Sequence, residues 1–320
     1  MVTEVHLGRY VCVTADATVT AMRARELGRR SVVVGDRVAL VGDVSGDPDQ
    51  LARIVRVAER RSVLRRTADD DETTPEGRVE RVVVANADQL VIVSSLVDPP
   101  PRTGFIDRCL VAAYDAEIEP LLCLTKADLV ATDGGPLAMI RDYYAELSLR
   151  HLLCRPDRPL TELVTALRGR MSVLVGHSGV GKSTLVNRLV PDAFRAVGAV
   201  SAVGKGRHVS SSVIALRLPP PPGDDRAGPG SGAAGGPGAG AGPGWIIDTP
   251  GVRSFGLAHV SADRLLHGFA DLAPGALDCP PHCEHSGAGC ALDGWVAAGH
   301  ADPRRLSSYR RLLASRAGEL

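Results

Sequence analysis

Lysine is nearly absent: of the 37 basic residues, only Lys126, Lys182 and Lys205 are not arginine. A chain that writes almost every positive charge as a planar guanidinium keeps the compact ammonium where a point charge is needed, so these positions are read first as candidates for chemistry. Basic excess is absent too. The 37 Lys and Arg are matched by 37 Asp and Glu, which excludes a polycation and confines any nucleic-acid contact to a local patch. No run of 18 uncharged apolar residues occurs, and MVTEVHLGRY lacks the basic and apolar regions of a signal peptide. A membrane span and export are therefore not expected, and a cytoplasmic protein is. The seven cysteines are an odd number spread over 320 residues, which argues against a disulfide framework. Three of them fall within residues 279–290, which points to a metal.

What is present divides the chain. Residues 1–66 read as short strands (VCVTA, TVTAMRA, SVVVGDRVALVG, ARIVRVAE) separated by Gly, Asp and Pro, and the natural closure is a small OB-like β-barrel. This part holds 12 Arg against 8 acidic residues, and Arg60, Arg61, Arg65 and Arg66 bunch at its end as a candidate RNA-phosphate face. Residues 67–78 are a polar linker. From 79 to 262 strands alternate with helices (103–115, 136–147, 159–169, and one from Lys182), the signature of a mostly parallel sheet covered on both faces, with ligands at the strands' carboxyl ends. Cys12, Cys109, Cys123 and Cys154 lie in apolar stretches and read as small core residues. Residues 219–244 contain 17 Gly or Pro in 26 positions and read as a disordered insertion. Residues 263–320 form a small, mostly helical third domain with a Cys/His cluster.

Three motifs carry chemistry. SVLVGHSGVGKST is a strand, a GxxxxGKS loop and a helix start. Backbone N–H groups of Gly176, His177, Ser178, Gly179, Val180, Gly181 and Thr184 can surround phosphates, Lys182 can reach the β and γ oxygens, and the Ser183 hydroxyl suits Mg²⁺. WIIDTPG ends an apolar strand with Asp248 and then Gly251, an arrangement that holds Mg²⁺ through water and senses the γ-phosphate. LLCLTKAD offers Thr125, Lys126 and Asp128. The Asp128 carboxylate can accept from the N1–H and 2-amino group of guanine, and Thr125 stands where Asn is usual.

The base-reading motif precedes the phosphate loop, the reverse of a Ras-like GTPase, so the domain is circularly permuted. In this the chain resembles the RsgA (YjeQ) family of small-ribosomal-subunit GTPases over nearly its whole length, the insertion excepted. The resemblance implies an OB-fold, a permuted GTPase domain and a zinc domain in that order. It identifies GKGRHVSSS as switch I, with Ser210 or Ser211 supplying the Mg²⁺ hydroxyl, and DTPGVRSFGLAH as switch II. There Val252, unable to hydrogen-bond water, replaces the glutamine of Ras, and His259 takes a catalytic role.

CPPHCEHSGAGC supplies Cys279, Cys283, His285 and Cys290, a Cys₃His set suited to one Zn²⁺ per chain. Both outer gaps are a residue shorter than in the resembling family, which leaves His282 as an alternative imidazole. The implied function is hydrolysis of GTP to GDP and phosphate by Lys182, Ser183 and His259. The protein would act as a monomer in late assembly of the small ribosomal subunit, binding its ribosomal RNA and leaving after hydrolysis. The other reading is a nucleotide-gated ribosome-binding module with negligible turnover of its own.

Overall fold

The computed structural model describes residues 1–6, 8–28, 32–67, 80–131, 134–191, 213–220, 243–249, 255, 257, 259–287 and 289–317. Switch I with Ser210 and Ser211, the linker beyond Thr67, most of the insertion, and Gly251 with Val252 lie outside them.

Four apolar runs build the centre: Gln89–Ser95 (β8), Glu119–Thr125 (β9), Met171–Val175 (β11) and Trp245–Asp248 (β13). They are parallel neighbours in the order β9-β8-β11-β13, with His151–Cys154 (β10) outside β9. Continuous hydrophobicity is what a strand covered on both faces requires, and the period of two divides it between layers. Leu90, Ile92, Leu122, Leu124, Val173, Val175 and Ile247 face one core, whereas Val91, Val93, Leu121, Cys123, Leu174 and Ile246 face the other. Thr103–Asp115 (α1) and Gly135–Tyr143 (α2) pack on the first face, Thr161–Leu167 (α3) and Lys182–Leu189 (α4) on the second. Cys12, Cys109, Cys123 and Cys154 are all buried.

Ile214–Arg217 (β12) runs antiparallel beside β13 and meets Val2–His6 (β1) at the pair Glu4–Ile214, so one sheet continues into the N-terminal part. There β1, Arg9–Val13 (β2) and Thr18–Arg23 (β3) form a meander. Ala52–Val57 (β5) joins β3 in parallel, and Val38–Val41 (β4) flanks β5. These strands surround their own core of Val2, Tyr10, Cys12, Val19, Ala21, Ala52 and Ile54. VVVA, expected among the parallel strands, lies elsewhere. Glu80–Ala85 (β7) pairs antiparallel with Val63–Thr67 (β6) in a separate ladder. Its anchors are Val34, bridged to Val84, and Asn86, whose amide donates to the Gly35 carbonyl at 3.0 Å.

The C-terminal helices Ala262–His267 (α5), Ala291–Ala297 (α6) and Pro303–Ala317 (α7) share the first core through Leu265, Phe269, Leu292, Leu306 and Tyr309. A buried ionic network fastens them. Asp107 of α1, fully buried, accepts from Arg305 Nη1 (2.9 Å), Ser308 Oγ (2.6 Å), Tyr143 OH (3.0 Å) and Tyr144 OH (3.1 Å). Arg305 also donates to Asp271 from Nη2 (2.8 Å) and Nε (3.0 Å) and lies over the Phe269 ring at 4.5 Å. Burial pushes the Asp107 carboxyl up, while Arg305 and the three hydroxyls pull it back. No helix among the described residues is long and apolar enough to cross a membrane.

Removing one partner of a buried pair strands the other charge, at about 3–5 kcal/mol. Arg305→Ala is expected to lower the unfolding free energy by that amount in urea denaturation. Arg304→Ala, which breaks an exposed pair with Asp302, should change it by about 0–1 kcal/mol.

Candidate functional site

From β8 the chain passes through α1 to β9, on one side. From β11 it leaves through α4 on the other face and reaches β13 on the opposite side. The gap between β8 and β11 is therefore the point where strand order reverses, and the crevice beyond the carboxyl ends there is where open α/β sheets take ligands.

The glycine loop fills that crevice. A Cβ on Gly176 would lie 2.6 Å from the Val93 carbonyl of β8, so only glycine lets the loop leave between the two strands. Gly179 and Gly181 have φ of +81° and +89°, the left-handed turn that brings the chain back to start α4. Lys182 opens that helix, and its ammonium contacts the Asp248 carboxylate at the end of β13, with both side chains about seven-eighths buried. Ser183 and Thr184 follow in the first turn with exposed side chains, as is that of Ser178 in the loop. Thr249, unremarked in the sequence, is buried and donates from Oγ1 to the Leu174 carbonyl at 2.8 Å, which ties the end of β13 to β11.

Thr125 takes a role that the sequence left open. Its buried hydroxyl donates to the carbonyl of Val180 at 2.5 Å, so the end of β9 holds the glycine loop directly. Lys126 has φ of +54° and its ammonium donates to the Asp98 carbonyl. Asp128 Oδ1 is buried with no hydrogen-bond partner among the described residues. A buried carboxylate oxygen without a donor is costly unless a ligand supplies one, and the donor edge of guanine is such a ligand. Thr125, Lys126, Asp128, Gly176 to Thr184 and Asp248 thus gather at four adjacent strand ends. With a phosphate cradle, a lysine, a helix-start serine and a strand-end carboxylate, this set fits a Mg²⁺–nucleotide.

His259 is not among them. Its Nε2 lies 2.9 Å from Asp115 Oδ2, and Arg264 pairs with the other oxygen at 3.0 Å. Asp115 ends α1, about 15 Å along the helix from Phe105, whose ring touches His177 of the glycine loop at 4.1 Å. Burial and Arg102 hold the His177 imidazole below its ordinary range. Of the arginine cluster, Arg60 makes a bidentate pair with the buried Asp36 (2.8 and 2.9 Å), and Arg61 pairs with Asp88 at 3.1 Å. Arg65 and Arg66 lie half-buried on β6.

In the C-terminal part the ligand atoms of Cys279, Cys283, His285 and Cys290 lie within 4.8 Å of one another. Cys279 Sγ is 3.7 Å from Cys290 Sγ and 3.4 Å from His285 Nδ1, which is 3.5 Å from Cys290 Sγ. Tetrahedral ligation with Zn–S of about 2.3 Å and Zn–N of about 2.0 Å puts sulfurs about 3.8 Å apart and sulfur and nitrogen about 3.5 Å apart. The set has those edges, and the fourth member is His285. His282 is outside it.

A model of the RsgA GTPase family matches residues 57–221. The small ribosomal subunit biogenesis GTPase RsgA of Chlorobaculum parvum is 32% identical over 326 residues, covering 98% of this chain and 97% of that protein. The Pseudomonas putida protein of the same name is 35% identical over 291 residues, 89% and 75% of the two chains. Among solved structures, YjeQ from Thermotoga maritima superposes with a TM-score of 0.66 at 22% identity, over 99% of this chain and 98% of that one. YloQ, described as a circularly permuted GTPase, superposes with 0.64 at 21% identity, over 100% and 94%.

The unpartnered Asp128 oxygen yields a test of base recognition. Asp128→Asn puts an amide donor where guanine's donors point and where xanthine has a carbonyl. The variant is expected to lose about 10²-fold or more in affinity for guanosine triphosphate and to gain affinity for xanthosine triphosphate, read by fluorescent-nucleotide competition.

Proposed function

Because the chain belongs to the RsgA GTPase family, we propose that it hydrolyses GTP to GDP and phosphate on the small ribosomal subunit, as a late assembly factor that binds ribosomal RNA and leaves after hydrolysis. The observation that carries this reading is the meeting of the glycine loop, the Lys182–Asp248 contact, the Thr125–Val180 tether and the unpartnered Asp128 oxygen at adjacent strand ends. Asp128 selects guanine, and Lys126 covers the base with its stem. Backbone N–H groups from Gly176 to Ser183 and the positive start of α4 bind the phosphates, with Lys182 on the β and γ oxygens. Ser183, together with Ser210 or Ser211 and, through water, Asp248, would hold Mg²⁺. Bound there, the ion would neutralise charge on the transferring phosphoryl group. A water oxygen attacks the γ-phosphorus, the bond to the β–γ bridging oxygen breaks with its electron pair going to GDP, and the water's proton leaves to phosphate or solvent.

The N-terminal strands, ordered β1-β2-β3-β5-β4 with β3 and β5 parallel, are read as an OB barrel holding ribosomal RNA. Its phosphate contacts fall to Arg65 and Arg66 more than to Arg60 and Arg61, which the carboxylates of Asp36 and Asp88 already engage. Residues 263–320 are read as a zinc domain in which Cys279, Cys283, His285 and Cys290 hold one Zn²⁺. The protein works in the cytoplasm as a monomer.

The position of His259 favours slow turnover in the free protein. Paired with Asp115 at the far end of α1, it has to move to reach the γ-phosphate, and the bound subunit supplies the reason to move. This is the sense in which the chain is also a nucleotide-gated binding module.

Phosphate release measured with and without small subunits tests the reading. Lys182→Ala is expected to lower turnover about 10²–10³-fold in both conditions. His259→Ala is expected to keep GTP-dependent subunit binding and lose the stimulation, whereas wild-type stimulation in that variant removes His259 from the mechanism. Metal analysis of the purified chain is expected to give one zinc, retained in His282→Ala and lost in His285→Ala, with the C-terminal helices unfolding on chelation.

A further inference from the structure

A cavity of about 480 Å³ opens beside the glycine loop, walled by Arg102, Gly104, Phe105 and Arg108 of the start of α1, by His177 of the loop, and by Arg311 of α7. Three of its walls are arginines. Arg108 donates to the Phe255 carbonyl (3.3 Å) and the Ser315 hydroxyl (2.9 Å), and Arg311 to the Ser308 hydroxyl (3.4 Å). None of the three arginines has a carboxylate partner among the described residues. Their neighbours on α7 behave otherwise, since Arg304, Arg305 and Arg310 each pair with an aspartate.

The guanidiniums also lie where a helix least favours cations. Arg102 is the N-cap of α1 and no acidic residue occupies the first turn, although the positive end of a helix prefers carboxylates. Gly104 brings Arg311 onto that turn, for a Cβ there would lie 3.1 Å from Arg311 Nη2. Across the cavity, His177 Nε2 is buried and unpartnered among the described residues. Burial disfavours the protonated forms of Arg108 and His177, and the neighbouring charges of Arg311 and Arg102, respectively, act in the same direction. Three guanidiniums without a carboxylate partner among the described residues and a helix start around one opening suit an anion with several acceptor oxygens.

We propose that this cavity binds a phosphate group, carried either by an RNA backbone or by free phosphate. The site is separate from the crevice that reads guanine and stands whether or not that reading does. Occupancy reaches the glycine loop through one residue, because His177 belongs to that loop and packs on Phe105.

The test uses the full chain loaded with Mg²⁺ and a non-hydrolysable GTP analogue, so that the glycine loop is filled. Inorganic phosphate and, separately, a short single-stranded RNA of mixed sequence are titrated at constant ionic strength, and the His177 imidazole resonances are followed. A saturable shift is expected. Arg102→Gln, at an exposed position, and the double variant Arg102→Gln/Arg311→Gln should raise half-saturation about tenfold or more, with analogue affinity and thermal midpoint unchanged. Saturation by phosphate assigns a free-anion site and saturation by RNA alone a backbone site, and both support the proposal. A shift that saturates with neither probe, or equal half-saturation in the variants, overturns it. Analogue affinity, measured in the same samples, reports separately on the nucleotide reading.

Discussion

The carboxylate of Asp107 is the point through which the nucleotide-binding sheet and the C-terminal helices become one body. Four donors, two from α7, one from α2 and one from the turn after α2, converge on it, and Arg305 carries the link on to Asp271. A group so buried tolerates no partial arrangement, because an unmatched charge in a low-dielectric interior is far more costly than an absent one. Either α7 is seated on α1 or the contact is lost altogether. That all-or-none quality lets a short C-terminal segment report on the sheet without a large interface.

Helix α1 thereby gathers three relations along its length. Its start faces the glycine loop through Phe105 and His177, its middle holds α7 through Asp107, and its last residue, Asp115, holds His259. Between them Arg108 grips the Phe255 carbonyl, and Phe255, Leu257 and Val260 are buried in the shared core. A rigid rod with contacts at both ends is how a change at a phosphate can be felt in a distant domain, provided the contacts have two discrete arrangements.

The glycine loop, the strand-end Asp128 and the Cys/His cluster were legible in the sequence because each depends on residue identity at fixed short spacing, which local chemistry dictates. The central strands were legible as well, since burial on both faces writes itself as continuous Val, Ile and Leu. What was not legible depends on pairing across the chain. Nothing in VVVA distinguishes a strand of the parallel sheet from the partner of β6, because both need the same propensity. Thr125 could be recognised as a departure from Asn, but its bond to Val180 joins residues 55 apart. The choice between His282 and His285 likewise turned on loop geometry. Arg60 and Arg61 read as a basic patch because the carboxylates that engage them, Asp36 and Asp88, lie 24 and 27 residues away.

The pairing of β12 with β13 has a consequence for the Gly/Pro-rich stretch between them. Arg217 is held opposite Trp245, and Leu218 N–H donates to the Gly244 carbonyl at 2.9 Å. The two ends of the stretch are therefore held side by side at the amino end of β13, the end of the strands opposite the glycine loop. When the two ends of a connection are fixed, its length enters the closure cost only logarithmically. Lengthening a four-residue turn to 26 residues costs about 1.7 kcal/mol. Such a position can drift in length over evolutionary time, or accept a grafted fluorophore or affinity handle, with the strand ends that form the crevice left in register.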